Sequence, residues 1–161
     1  MSEGETIREG RDADGPALIE LIGGVFAEYP GCVLDVDGEL PELRSIATSF
    51  AGWRGRFWVV TLGGRVVACI GLTPASQPEG IELRKLYVHA SARRRGLGGR
   101  LVALVEGEAK RRGARFIDMW SDTRFADAHR LYDKLGYRRG PSTRELHDKS
   151  DTVEFYFRKE L

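Results

Sequence analysis

Arg93-Arg94-Arg95-Gly96-Leu97-Gly98-Gly99-Arg100 is the stretch that decides how this chain folds. It follows a strand-like segment over residues 81–88 and opens a helix-like one over 97–112. Glycines between a strand and a helix let the backbone approach a ligand with no side chain in the way. The first turn of a helix has N–H groups without intrahelical partners and the positive end of the dipole, which together suit a phosphate. Gly96 and Gly98 can therefore cradle a pyrophosphate, with Arg93, Arg94, Arg95 and Arg100 as mobile positive charge around its rim. A solvated turn is the plain alternative. A dinucleotide fingerprint is not met, because G-x-G-x-x-G would need a third glycine at position 101, where Leu101 stands. The Walker pattern G-x-x-x-x-G-K-[ST] is absent as well.

Two motifs in sequence order carry a family resemblance. Arg93-x-x-Gly96-x-Gly98 resembles the [Q/R]-x-x-G-x-[G/A] acyl-CoA pyrophosphate loop of the GNAT N-acetyltransferase superfamily. Downstream, Ala128-x-x-Leu131-Tyr132-x-x-x-Gly136-Tyr137 resembles the segment that follows that loop in the same superfamily. A helix and a strand lie between the two, as the resemblance requires. It is specific over residues 80–140 and looser over the rest.

The pattern along the chain agrees. A first strand is expected over 6–9, and a helix capped by Asp12 or Asp14, with Pro16 in its first turn, reaches about residue 29. A second helix is expected from Pro41 to just before Gly52. Two strands over 56–62 and 65–72 flank Gly63-Gly64, a hairpin signal. Residues 74–80 read as a loop and 81–88 as a strand. The helix after the glycine run stops at Gly113, a strand covers 115–120, and a helix over 124–135 stops at Gly136. Strands over 137–139 and 153–158 close the chain, with a turn at 147–151. In 81–88 the apolar set begins on one face, at Ile81 and Leu83, then shifts to Leu86 and Val88, which suggests a bulge near Arg84-Lys85.

The resemblance implies an α/β (α+β) fold in one domain over 1–161: a mixed, mostly antiparallel central sheet flanked by helices, with acyl-CoA wedged where two central strands splay. It implies an acetyl-CoA-dependent N-acetyltransferase with no metal. The amide-bearing arm of acetyl-CoA would pair with backbone near Leu86, Tyr87 and Val88, and its pyrophosphate would lie on Arg93, Arg94, Arg95, Gly96, Leu97, Gly98, Gly99 and Arg100. Glu82 stands where histone-type members carry their glutamate base, and Tyr132 matches a tyrosine that protonates the departing thiolate in many relatives. One departure stands out. Relatives often carry Asn three residues before the position of Ala128; here it is Phe125, so CoA needs other contacts, with Arg130 or Lys134 as candidates.

The chemistry explains why such residues are needed. An alkylamine of pKa about 10.4 is roughly 0.04% neutral at pH 7, a shortfall of about 4–5 kcal/mol. A nearby base offsets part of it. Ile81 and Leu83 alternate away from Glu82, so Glu82 can face a cleft; a surface ion pair with Arg84 is the competing reading. Asp122 and His89 are weaker alternatives. A backbone N–H at or near Val88 can polarise the thioester carbonyl.

Composition bounds the rest. The chain has 161 residues and net charge +1, enough for a real core and without the basic excess of a duplex-binding domain. No apolar run is long enough to span a membrane, and residues 1–10 do not read as a signal peptide, so the cytoplasm is the expected location. Cys69 lies in an apolar run and reads as core; Cys32 falls in a loop, and His89, His129 and His147 are too scattered for a metal site. For the acceptor, Asp35, Asp37 and Glu39, with Tyr29 and Trp53 nearby, suggest an acidic, aromatic-edged mouth for a small cationic amine; a solvated acidic loop is the competing reading. A homodimer is compatible with this reading, and no nucleic-acid or membrane partner is expected. The alternatives are a non-catalytic acyl-CoA-sensing or interaction module, and a protein N-terminal or lysine acetyltransferase.

Overall fold

The computed structural model describes residues 4–161. Three residues of the polar start, 1–3, lie outside the described residues. The elements follow the expected order: β1 (Glu5–Glu9), α1 (Gly15–Phe26), α2 (Val36–Glu39), α3 (Ile46–Gly52), β2 (Arg56–Leu62), β3 (Arg65–Pro74), β4 (Gly80–Val88), α4 (Leu97–Arg111), β5 (Phe116–Asp122), α5 (Ala126–Lys134), β6 (Arg138–Glu145) and β7 (Val153–Glu160). Seven strands form one sheet in the order β1-β2-β3-β4-β5-β7-β6. Every neighbouring pair is antiparallel except β4 with β5.

The hairpin between β2 and β3 turns on Gly63 and Gly64, both at positive φ (58° and 82°), the conformation that a two-residue turn demands of both positions. These strands are buried on both faces and therefore read as almost continuous apolar runs. Trp58, Val60, Ala68 and Ile70 join one core with Leu101, Val102 and Val105 of α4. Phe57, Val59 and Cys69 turn to the other, with Leu18, Ile22 and Val25 of α1, Ile46 and Phe50. Cys69 is core, as expected: it is fully buried, and burial pushes its thiol up to about 12.

Three expectations need correction. The second helix is interrupted: Pro41–Ser45 winds as a 3-10 turn before α3, and Val36–Glu39 adds a helical turn, capped by Asp35 accepting from the Gly38 N–H at 3.1 Å. The strand expected over 137–139 is the longer β6, hidden in the sequence by Gly140-Pro141 and a polar composition; it is an exposed edge strand, where proline is tolerated. β3 runs on to Pro74, two residues past the expected end.

Candidate active site

β4 and β5 pair at only three positions: Gly80 with Phe116, Ile81 with Ile117 and Glu82 with Asp118. Beyond Glu82 the parallel ladder ends, while β4 continues to Val88 and β5 to Asp122. The strands therefore splay, and on the β5 side the backbone of residues 83–88 has no strand to bond. The bulge falls where the apolar pattern slips. Gly71 pairs with Arg84 but Cys69 with Tyr87, so Lys85 and Leu86 together stand opposite Ile70, and Lys85 takes a φ of +56°. Lys85 is held there by a half-buried ion pair with Glu42 at 2.7 Å and by the Cys69 thiol donating to its carbonyl at 3.2 Å.

The splay opens into a cleft of about 620 Å³. Its floor is Glu82 to Tyr87 of β4 and Met119 to Asp122 of β5; Ala128 and Tyr132 of α5 close one end. Two loops wall the other end: residues 32–42 before and through α2, and residues 144–154 between β6 and β7. These loops are latched together. Ser150 Oγ accepts from the Val33 N–H at 2.8 Å and donates to the Val33 carbonyl at 3.2 Å. Lys149 pairs with Asp35 at 2.8 Å, and its N–H donates to Glu39 at 3.0 Å.

Glu82 and Tyr132 both line this cleft. Burial pushes the Glu82 carboxyl above the usual range; Arg84, 3.5 Å away, pulls the other way, and Asp118 adds to the rise. A carboxylate so raised is a better proton acceptor near neutral pH. Tyr132 is 4% exposed, packed on Phe157 and Tyr137 with ring centroids at 5.3 and 6.2 Å. Burial alone drives its phenol well up, so it keeps its proton at neutral pH, the state an acid must start from. The two weaker base candidates are occupied. His89 Nδ1 accepts from the Ser91 N–H at 3.0 Å, capping the turn Ala90–Ala92. Asp122 lines the cleft but accepts from the Arg124 N–H and is paired with its guanidinium at 2.9 Å.

The glycine run sits as expected between strand and helix, with Gly96 at φ +73° as the cap of α4. Leu97, Gly98 and Gly99 are in the first turn, where no carbonyl one turn earlier in the helix can reach their N–H groups. A Cβ at Gly96 or Gly99 would meet nothing within 4 Å, so open space lies beside the backbone there, which fits a phosphate-binding cradle. Gly98 has a second reason to be glycine: a Cβ there would lie 2.8 Å from Leu131 Cδ2, so it also lets α4 approach α5. The picture of four mobile arginines is corrected. Arg93 is held by both Glu28 oxygens at 2.6 Å and donates to the Val88 carbonyl at 3.1 Å. Arg100 is paired with buried Glu5. Arg94 and Arg95 are exposed.

The expected acceptor mouth is also redrawn. Tyr29, Asp35, Asp37 and Trp53 are absent from the cleft lining. Tyr29 packs on Phe125 at 4.9 Å, in an aromatic cluster with Phe26 and Tyr87; Phe125 thus seals α5 against α1. Asp35 is a cap and a latch, Asp37 pairs with Arg44 at 2.7 Å, and Trp53 stacks on Phe50 at 5.2 Å. Of the expected acidic cluster only Glu39 lines the cleft, where it is joined by Glu42, Arg84, Trp120, Arg144, Asp148 and Glu154. Arg144 lies over the Trp120 ring at 4.4 Å and pairs with Glu154 at 2.7 Å. Arg130 pairs with Asp127 on the exposed side of α5. No helix among the described residues is long and apolar enough to cross a membrane.

Comparison with known proteins agrees with this geometry. Residues 25–137 match the model of the Acetyltransferase (GNAT) family. The uncharacterized N-acetyltransferase YjgM of Escherichia coli is 29% identical over 131 residues, covering 77% of this chain and 76% of that one. N-acetyltransferase family 8 member 2 of Rattus norvegicus is 26% identical over 102 residues, covering 61% of this chain. The vertebrate relatives are longer, and the chain spans 45 to 54% of their length. An acetyltransferase of the GNAT family from Staphylococcus aureus superposes with a TM-score of 0.81 at 21% identity, covering 98% of this chain and 99% of that one. Salmonella typhimurium yncA, solved with its cofactor acetyl-CoA, superposes at 0.73 with 19% identity, covering 99% and 95%. With the family model spanning more than two thirds of its length, the chain belongs to the GNAT acetyltransferase family.

Proposed function

We propose that this protein transfers an acetyl group from acetyl-CoA to a primary amine of a small molecule by direct attack within a ternary complex. The observation that carries this reading is the early end of the β4–β5 ladder, which opens a cleft with a raised carboxylate, Glu82, at its start and a proton-bearing phenol, Tyr132, across it. Acetyl-CoA supplies the activated thioester. The β4 backbone at 83–88, unbonded on its β5 side, offers donors and acceptors to its amide-bearing arm, and an N–H near Val88 polarises the thioester carbonyl. The first turn of α4 receives the pyrophosphate through the N–H groups of residues 97–99. Glu82 takes the proton of the acceptor ammonium, directly or through one water, and frees its lone pair. The amine nitrogen bonds to the thioester carbon, the C–S bond breaks, Tyr132 gives its proton to the departing sulfur, and the second proton shed by the nitrogen as the amide forms restores the phenol.

The cleft walls favour a cationic acceptor. Glu39, Glu42, Glu82, Asp122, Asp148 and Glu154 line it against Arg84, Lys85 and Arg144, an acidic excess in a chain that is nearly neutral overall. The latch across its mouth, Ser150 on Val33 and Lys149 on Asp35, favours a small acceptor over a folded polypeptide. Mass spectrometry of the protein incubated with acetyl-CoA and a panel of diamines, amino sugars, amino acids and short peptides tests this. Acetylation of small cationic amines ahead of peptides is the expected result. Transfer to peptides alone would overturn the acceptor assignment, and acetyl-CoA binding without transfer to any amine would favour an acyl-CoA-sensing module.

A further inference from the structure

Among the described residues, only two buried side-chain polar atoms lack a hydrogen-bond partner, and one of them is Oδ1 of Asp118. An unpartnered buried carboxylate oxygen is costly, so a fold that keeps one has a use for it or shares a proton across it. Asp118 is 5% exposed and is the register partner of Glu82, the last rung before β4 and β5 separate. Register partners on neighbouring strands, about 4.8 Å apart, point to the same face of the sheet. Two carboxyl groups therefore stand side by side at the root of the cleft. The other Asp118 oxygen, Oδ2, accepts from the Tyr156 hydroxyl at 2.7 Å, which leaves Oδ1 as the free one.

From this geometry we infer that Glu82 and Asp118 form a coupled carboxylate pair, in which the Asp118 charge raises the proton affinity of Glu82 and makes it a stronger base. This rests on the reading of Glu82 as the acceptor's base and assigns Asp118 as its positioning residue. The logic is that of like charges in a shared site: the pair gives up its first proton easily and its last one reluctantly. The fully ionised pair is the active base. One N–H bond of the acceptor ammonium breaks, the proton passes to the pair, and the pair goes from two negative charges to one. After transfer the proton leaves through the solvated edge of Glu82, whose side chain is 17% exposed.

The surrounding groups are consistent with this. On β4, Arg84 lies 3.5 Å from Glu82, and its guanidinium Nε donates to Thr73 at 2.8 Å. On β7, Arg158 is the register partner of Asp118, and Tyr156 and Glu154 share its face. On β6, Arg144 faces Glu82 and is paired with Glu154. On β5, Asp122 is paired with Arg124. Despite Arg84 and Arg158, burial holds Asp118 above the usual range, as it does Glu82.

Carboxyl ¹³C NMR titration of the protein, without any acceptor, reads the pair directly. In the wild type the Glu82 signal should respond to two steps, the last above the ordinary carboxylate range. Asp118→Asn removes the charge and should lower the Glu82 midpoint by about one pH unit or more. Tyr156→Phe removes the donor to Oδ2, destabilises the Asp118 anion and should move the last midpoint up. The acid limb of kcat/KM, measured with the amine chosen by the acceptor panel, should follow both shifts. Opposite displacements from two neighbouring substitutions are not produced by loosened packing. If Asp118→Asn fails to fold, Tyr156→Phe decides alone, and an unmoved or lowered midpoint overturns the pair. Unmoved midpoints in both variants overturn it even where Glu82→Gln abolishes turnover. Full turnover in Glu82→Gln overturns the base reading, whatever the titrations give, and the pair's part in catalysis with it.

Discussion

Replacing Tyr132 by Phe separates a catalytic hydroxyl from a core ring. The ring is 4% exposed and packs on Phe157 and Tyr137, and the backbone carbonyl of Tyr132 accepts from the Tyr137 N–H at 2.9 Å. Tyr132→Phe keeps all of these contacts and removes one O–H at the cleft surface. Its cost in folding stability should stay within about 1 kcal/mol, the net worth of a single hydrogen bond. Acetyl-CoA affinity should change little, since the anchors at residues 83–88 and 97–99 are untouched. Turnover should fall about 10²–10⁴-fold, the range for losing a positioned acid, or about 2.7–5.4 kcal/mol of transition-state stabilisation. The assay is the rate of free thiol release at saturating acetyl-CoA and amine, with acetyl-CoA affinity measured in parallel. An acyl donor with a more acidic thiol should recover part of the loss, because that thiolate needs its proton less. A variant that turns over like the wild type, or one that loses acetyl-CoA binding in proportion to activity, would refute the reasoning and return Tyr132 to the core.

Glu82→Gln should lose most activity near neutral pH and recover at high pH, where the amine is already neutral; a loss uniform across pH would make Glu82 structural. The same change should raise stability. Because burial lifts the Glu82 carboxyl in the fold, the native state holds its proton longer than the unfolded chain, and wild-type stability falls as pH rises from about 4.5 through the folded value. The variant should therefore melt higher than the wild type at neutral pH and alike near pH 4. Gly98→Val should lower stability by about 1–3 kcal/mol by pressing on Leu131, whereas Gly99→Val, with open space around its Cβ, should not; equal melting temperatures would remove the packing argument. Glu108 on α4 accepts from Arg56 at 3.0 Å and from Arg111 and Arg112, which hold its carboxyl down at about 2. Its contribution, full above about pH 4.5 and lost as pH falls toward 2, is at most about 3 kcal/mol and less in practice because Arg111 is exposed. A Glu108→Gln melting curve with the same acid dependence as the wild type would contradict it.

Much of the fold was legible because its signals are local. Gly63-Gly64 could only be a tight turn, Gly113 and Gly136 end their helices at positive φ, and the apolar slip around Arg84-Lys85 recorded the bulge. The places of Glu82 on β4 and of Tyr132 on α5 were legible from motif spacing. Of the acceptor mouth, only Glu39 was. Its residues come from β4, β5, β6, β7 and the α2 turn, far apart in sequence, and no short pattern links Arg144 to Trp120 or Glu42 to Lys85. Charge also misled: Asp35 and Asp37 looked like a substrate mouth, but each had a cation of its own, Lys149 and Arg44. Arg93 and Arg100 looked like free phosphate ligands for the same reason, since Glu28 and Glu5 lie 65 and 95 residues away in the chain. The sheet order that sets Asp118 beside Glu82 is likewise a property of topology, which periodicity within a strand does not encode.

The central claim is that acetyl-CoA occupies the splay between β4 and β5 with its pyrophosphate on the first turn of α4. Amide hydrogen exchange with and without saturating acetyl-CoA tests it most directly. The account predicts new protection confined to residues 83–88 and 94–99, with the β2–β3 hairpin unchanged. Protection elsewhere with none at these two segments would contradict it.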